Sequence, residues 1–256
     1  MTRMNLPIEP EARRRYNEEL FTLVAPKYHR TTRLLSFGQD ARWKRVLIQA
    51  LPALDAPNCL DIACGTGDLT QALAERYPRG NILGIDLTQA MIAEARRRNT
   101  RSNVAYDIQD MCAMDLVPTH SIDIVTGGYA LRNAQDLPKL LSELSRVMKK
   151  GASAAFLEFS KAESPLLGNV HRIGLNAWGS LCGLILHRDA DVYRYIPRSL
   201  ERFPGRRDLV VLMEKFGLEP IRFHDFFVGL IEISVWRKRA HGKTVPTTLR
   251  EHPASL

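Results

Sequence analysis

Asp86 and the glycines Gly65 and Gly67 are the residues whose types and spacing bear most directly on chemistry. The apolar run Leu60-Asp61-Ile62-Ala63-Cys64 breaks into Gly65-Thr66-Gly67-Asp68. Eighteen residues beyond Asp68, a second apolar run ends on Asp86. Glycine in such a turn lets the backbone approach a ligand closely and adopt φ values that a Cβ would penalise. A carboxylate ending the next strand offers acceptor oxygens to the two hydroxyls of a ribose. Together these signals predict an adenosine-containing ligand at the carboxyl edge of an α/β sheet.

Two further residues discriminate among such ligands. A dinucleotide-binding turn calls for a small third residue three places after the second glycine, and that place holds Thr70. Asp68 puts a negative charge in the first helical turn, unfavourable to a pyrophosphate but compatible with the ammonium of S-adenosylmethionine. The turn therefore favours S-adenosylmethionine. NAD, and with it a dehydrogenase, is the alternative of another class.

The elements that must position these residues follow from periodicity. Short apolar runs at Cys59 to Ala63, Asn81 to Asp86, Val104 to Ile108, Ser121 to Thr126 and Ala154 to Phe159 predict strands. Helical patterns at Leu69 to Arg76, Gln89 to Arg98 and Leu137 to Met148 separate most of them, the last stopped by Lys149-Lys150-Gly151. Repeated βα units of this kind predict an α/β fold with a mainly parallel, Rossmann-like sheet. Helices are also predicted over Glu9 to Val24, stopped by Pro26, over Ala41 to Leu51, and over Arg207 to Phe216. Strands at Leu218 to His224 and Val228 to Trp236 bring the expected sheet to seven strands, the last antiparallel. The domain plan is a helical lid segment over 1–52, a sheet domain over 53–239 with a helical insertion near 165–201, and a disordered tail over 240–256.

Composition limits the remaining classes. A chain of 256 residues, 45% hydrophobic, can form one large α/β domain with additions. Cys59, Cys64, Cys112 and Cys182 show no paired spacing, so neither a disulfide framework nor a metal site is expected, and a reducing cytoplasm suits them. No stretch reads as a membrane span or leader. The net charge of +8 is spread over Arg13-Arg14-Arg15, Arg96-Arg97-Arg98, Arg206-Arg207 and Arg237-Lys238-Arg239. It reads as solvated helix faces, with peripheral contact at the inner face of a membrane as a further reading and no nucleic-acid partner expected.

The strings Phe21, Val24-Ala25-Pro26-Lys27-Tyr28, Leu35-Ser36-Phe37-Gly38, Trp43, Leu60 to Asp68, Leu131-Arg132-Asn133, Arg146-Val147, Leu157-Glu158-Phe159-Ser160-Lys161 and Tyr193-Arg194-Tyr195 resemble the UbiE-type ubiquinone/menaquinone biosynthesis C-methyltransferases. The resemblance runs from about Phe21 to Lys238. It implies a class I S-adenosylmethionine-dependent methyltransferase fold and methyl transfer to a ring carbon of a quinol or phenol. The implied acceptor is small and apolar, a prenylated quinol; a homodimer is also carried as an expectation. The family's cofactor contacts fall on Thr66 between Gly65 and Gly67, on Asp86, on Asp110 and Met111, and on Gly128. Side-chain chemistry suits the last four: Asp110 can accept from an adenine amino group, Met111 can contact the base, and Gly128 admits the sulfonium.

Departures from the family pattern cluster on the acceptor side. Tyr28-His29 stands where the family usually has Tyr-Asp, Thr32 where it has asparagine, and Asp40 where it has histidine. Lys150-Gly151-Ala152 replaces Pro-Gly-Gly, Ser234 replaces a histidine, and the tyrosines common near 171–174 are missing. These differences suggest a second acceptor reading, a specialised small apolar metabolite. Arg132 and Asn133 match the family's catalytic pair, Arg132 as a cation stabilising a developing phenolate and Asn133 as the residue orienting a water. Their structural alternatives are an Arg132–Glu158 ion pair and an Asn133 cap. His29 is a candidate general base and Tyr28 a residue closing the cofactor pocket.

Overall fold

The computed structural model describes residues 7–240, so the expectation for the tail beyond Ala240 lies outside the described residues. In chain order come α1 (Pro10–Val24), a 3-10 turn (Ala25–Lys27), α2 (Tyr28–Leu35), α3 (Asp40–Gln49), β1 (Asn58–Ile62), α4 (Asp68–Arg76), β2 (Asn81–Asp86), α5 (Gln89–Arg98), β3 (Val104–Ile108) and β4 (Ile122–Gly128). A second 3-10 turn (Leu131–Asn133) leads to α6 (Leu137–Val147), β5 (Met148–Phe159), α7 (Pro165–His187), α8 (Tyr195–Arg202), α9 (Arg206–Lys215), β6 (Leu218–Phe226) and β7 (Ile231–Lys238).

The strands form one seven-stranded sheet in the order β3-β2-β1-β4-β5-β7-β6. Strands β1 to β5 are parallel, and β7 inserts antiparallel between β5 and β6. The chain moves outward in both directions from the β1–β4 junction, which leaves a crevice at their carboxyl ends. Pairing of Ile62 with Ile85 and Gly127, and of Asp86 with Ile108, brings the ends of β1 to β4 level along that crevice.

Alternating strand residues feed two hydrophobic cores, one on each face. Leu60, Ile62, Val125, Phe156 and Trp236 pack with α6 and α9. Cys59, Ile82, Ile124, Leu157 and Ile233 pack with Trp43, Leu47 and Leu73 from α3 and α4. Helix α3 thus belongs to the layer covering the sheet. Val24, Ala25, Cys182, Tyr193 and Ile196 form a separate apolar cluster joining α1, α7 and α8, so the helices over the crevice have a core of their own.

Helix α1 ends at Val24 as expected, with Pro26 in the 3-10 turn just beyond it, where a missing N–H costs little, and α2 follows directly. One local expectation is corrected. Lys149-Lys150-Gly151 lies inside β5 instead of capping α6. Its pairing with β4 slips between Ile122 and Ile124, Gly151 takes φ +80°, and Lys149 bonds both carboxylate oxygens of Asp123 at 2.8 Å. The four cysteines are unpaired. Many arginines of the basic runs are engaged locally, as in Arg97–Glu94, Arg98–Asp68 and Arg206–Glu232.

Candidate active site

The backbone at the crevice is bent where strands end. Gly65 and Gly67 take φ of +54° and +84°. A Cβ on Gly67 would come within 2.3 Å of the Tyr106 hydroxyl, so both conformation and space demand glycine there. Ala63 and Tyr129, just past β1 and β4, also lie in the left-handed region, at +46° and +58°. Such conformations cost energy for residues bearing a Cβ, and the surroundings hold them here. The Tyr129 amide donates to Leu157 O at 2.6 Å and its hydroxyl to Asp40 Oδ1 at 3.1 Å.

Asp86 is set by its neighbours before any ligand arrives. Its Oδ2 accepts from the Gly65 amide at 2.9 Å and its Oδ1 from the Thr88 amide at 2.8 Å. A carboxylate has about four acceptor positions, so capacity remains for two ribose hydroxyls. Burial pushes the Asp86 carboxyl upward, with these two amides working against the rise.

Behind the turn, Asp61 is fully buried and accepts from Thr70 at 2.7 Å and Thr126 at 2.8 Å. Burial raises its pKa to about 6 despite those bonds. Thr70 therefore anchors this carboxylate. Asp68 needs a correction as well. Lys44 reaches it at 2.9 Å and Arg98 at 2.8 Å. Burial alone would raise the Asp68 pKa, but Lys44 and then Arg98 bring it below the ordinary carboxylate value. With two cations attached, Asp68 does not present the free negative charge expected in the helix's first turn, so the ligand argument rests on Asp86 and the cavity.

That cavity has a volume of about 490 Å³ and is lined by Tyr28, Gly65, Asp86, Asp110, Met111, Gly128, Arg132 and Asn133 among the expected site residues. Asp110 accepts from the Cys112 amide at 2.8 Å and from Gln135 Nε2 at 2.5 Å, which fixes the carboxylate at the cavity wall. Tyr28 packs over the glycine turn, where a Cβ on Gly65 would sit 3.4 Å from its ring. Burial raises its hydroxyl pKa well above the usual value, so the phenol stays neutral. Thr66 and Gly67 lie outside this lining. Thr66 borders a small adjoining crevice with Tyr28, Asp61, Asp68 and Gly128, and its hydroxyl accepts from Arg98 at 3.0 Å.

Arg132 is buried and carries the strongest local electrostatics. Its Nε lies 2.9 Å from Glu158 Oε1, and its Nη1 donates to Ser199 Oγ at 3.0 Å and Asn133 Oδ1 at 3.3 Å. Burial is the largest single influence and opposes its charge, but Glu158 together with Tyr195 and Tyr28 more than offsets it and raises the pKa, keeping the guanidinium cationic. The rings of Phe159, Tyr195 and Tyr129 surround it at 5.1, 5.4 and 6.0 Å. Asn133 does not cap the following helix: its Nδ2 donates to Tyr129 O at 2.8 Å, and Asp136 supplies the cap of α6. Arg13 and Asn17 bond the carbonyls of Arg132 and Asn133 at 2.6 and 2.8 Å, tying α1 to this turn.

His29 is not brought to the cavity. Its side chain is 65% exposed on α2, with Nδ1 4.0 Å from Asp68. The turn of helix that points Tyr28 inward points His29 out. Sequence reasoning missed Tyr129 and Ser199, and marked Asp40 only as a departure from the family, without its bond to Tyr129. The backbone strain at Tyr129 leaves no signal in residue type, and Tyr193 and Tyr195, which line the cavity, carry no motif spacing that marks a role.

The residues present fit S-adenosylmethionine: Asp86 for the ribose, Asp110 and Met111 for the base, and Gly65 and Gly128 for close backbone approach. A solved structure described as a SAM-dependent methyltransferase from Aquifex aeolicus shares the fold, with a TM-score of 0.57 and 15% identity over 81% of this chain and 98% of that one. That likeness gives the fold, and the site's chemistry suits the class of S-adenosylmethionine-dependent methyltransferases.

Within that class, a profile of the ubiE/COQ5 methyltransferase family matches residues 10–238, and the chain belongs to this family. The ubiquinone/menaquinone biosynthesis C-methyltransferase UbiE of Syntrophotalea carbinolica is 33% identical, covering 84% of this chain and 90% of the relative. The 2-phytyl-1,4-naphtoquinone methyltransferase of Synechococcus elongatus is 35% identical, covering 85% and 95%. NAD chemistry is set aside by this membership.

Proposed function

We propose that the chain methylates a ring carbon of a small apolar quinol, with Arg132 as its principal electrostatic group. The carrying observation is the buried Arg132 guanidinium lining one cavity with Asp86 on the donor side and Phe21, Leu35, Phe159, Leu175 and Trp178 elsewhere on the wall. When bound, S-adenosylmethionine supplies a methyl group activated by a positively charged sulfur. The chain's own residues hold and orient the acceptor and exclude water, and alignment of this kind can be worth about 7–11 kcal/mol. Arg132 stabilises the oxyanion that forms as the ring hydroxyl loses its proton, which makes the adjacent ring carbon nucleophilic. Asn133, held by Arg132 and the Tyr129 carbonyl, orients the water that takes the proton away. Helices α1, α2, α7 and α8 serve as the lid.

A second acceptor reading has its own observation. His171 and Gly174, in the 171–174 stretch where the tyrosines expected from the family resemblance are missing, line the cavity with Trp178. This wall suits a specialised apolar metabolite in place of a respiratory quinol. Incubation with labelled S-adenosylmethionine and demethylated benzoquinols and naphthoquinols, followed by mass spectrometry, decides between them. A singly methylated product from one quinol series is expected. Product from neither series refutes the quinol reading and favours the metabolite. We place the protein in the cytoplasm, at the inner face of a membrane. Among the described residues, no helix is long and apolar enough to cross one.

A further inference from the structure

Helix α7 is apolar on two sides. Leu175 and Trp178 line the cavity, while Leu166, Val170, Ile173, Leu184 and Ile185 are 76, 57, 63, 52 and 61% exposed. Most of these exposed residues recur at spacings of three, four and multiples of a turn, forming one outer stripe. Pro165–His187 contains no aspartate or glutamate, and Arg172 is its only arginine or lysine. Contiguous exposed apolar surface of this kind marks an interaction face.

The cavity opens on the same side. Val170, Gly174, Phe37 and Phe227 line it and are also exposed. Phe37 stacks on Trp178 with centroids 4.5 Å apart and meets Phe227 edge-on at 6.4 Å, forming an aromatic collar. Val228, 77% exposed, continues the apolar rim.

Cations border this face. Helix α2 packs against α7 and presents Arg30 and Arg33; Lys27 reaches Leu186 O at 2.6 Å; Arg172 and Arg188 are exposed on and just after α7. Among the described residues, none of these five forms an ion pair; of the nearby acids, Glu163 and Asp191 are paired with Arg207 and Arg194, and Asp189, next to Arg188, offsets one of the five charges. A second copy docked symmetrically on this face would bring unpaired cations together, and an anionic surface would neutralise them.

We propose that α7 and the aromatic collar dock on the surface of an anionic lipid bilayer, with α7 lying in the interfacial plane and the cavity mouth against the acyl chains. An apolar acceptor then passes between bilayer and cavity without crossing water. The purpose of the surface rests on the apolar-acceptor reading, but its binding is measurable with no acceptor present.

The test is flotation of the full chain with phosphatidylcholine vesicles, with and without phosphatidylglycerol. Binding is expected to the phosphatidylglycerol vesicles at low salt, and to fall about tenfold on pure phosphatidylcholine. The I173D/I185D variant should bind anionic vesicles at least about tenfold more weakly, while methylating a short-tailed, water-soluble quinol at the parent rate. A reading on the unaltered chain guards against misfolding of the variant: brominated lipid should quench Trp178 fluorescence, whereas Trp43 and Trp236 are buried in the cores. An unaltered chain that floats with neither vesicle, or a folded variant that floats as well as the parent, overturns the proposal. So does a dimer dissociated by I173D/I185D in a chain that floats with neither vesicle. A chain that floats but methylates neither quinol series refutes the proposed acceptor and leaves the docking surface standing.

Discussion

Glu158→Gln tests whether Arg132 is held by a charge or only by shape. The substitution keeps the side chain's length but leaves one acceptor oxygen where the structure uses two. Oε2 accepts from the Arg132 amide at 3.2 Å; Oε1 accepts from the Phe159 amide at 3.0 Å and faces Arg132 Nε at 2.9 Å. The new NH2 must therefore confront at least one donor, and the buried guanidinium loses its counter-charge. Breaking a buried pair from one side costs about 3–5 kcal/mol. The remaining contacts to Ser199 and the three rings are neutral and cannot replace the lost charge. Urea unfolding of Glu158→Gln, Arg132→Met and the double variant would measure the coupling. The double variant is expected to be more stable than the sum of the single losses by at least about 2 kcal/mol, because it buries no orphaned charge. Turnover gives the second reading. Arg132→Met and the double variant should both lose about 10²–10³ in kcat, with little change in affinity for S-adenosylmethionine. Additive stability losses would refute the charged pair, and normal turnover in Arg132→Met would refute its role in catalysis.

Other outcomes follow from single contacts. Asp86→Ala should weaken S-adenosylmethionine binding by about 1.5–3 kcal/mol in calorimetry, the scale of hydrogen bonds to a charged group; unchanged affinity removes Asp86 from the site. The Asp61 carboxyl rises from 3.8 to about 6 on folding, so the folded state holds its proton more tightly than the unfolded chain. Its contribution to stability is full below pH 4 and is lost as pH rises through 6, a change of about 3 kcal/mol. Asp61→Asn should flatten that part of the stability–pH curve. Gly67→Ala should cost about 2–4 kcal/mol in urea unfolding, with partial recovery when Tyr106→Phe removes the clashing hydroxyl oxygen. His29→Ala should leave turnover within about twofold of the parent, given its solvent-facing position.

The sheet was legible because its signals are local. Asn81–Asp86 and Val104–Ile108 fall on their predicted bounds, as short apolar runs ending in polar or turn residues should. The Lys149-Lys150-Gly151 stop failed because lysines and glycine also suit a bulged strand, and only pairing with Asp123 on a neighbouring strand distinguishes the two. At the cavity, Asp86 could be found from spacing alone, since a strand delivers its last residue to the sheet edge. Asp68 misled because its neutralising partners Lys44 and Arg98 come from two other helices. His29 misled because the expected helical lid segment had no assigned helix start or register around it, so the outward face of α2 could not be read. The Arg132–Glu158 pair, raised as a structural alternative to catalysis, is compatible with it: the same contact that buries the cation also aims it.

The separate apolar cluster of α1, α7 and α8 has a consequence for how such a chain can diversify. The donor wall draws its rigidity from the two cores flanking the sheet, while much of the acceptor wall draws on this third one. Substitutions along α7 can thus reshape what the enzyme accepts with little disturbance to the strands that hold Asp86 and the glycine turn. The coupling between the two walls is confined to a few contacts, such as Met91 and Tyr28 within the third cluster and the bonds of Arg13 and Asn17 to the turn at Arg132, so a change far along α7 has few routes by which to reach the donor side.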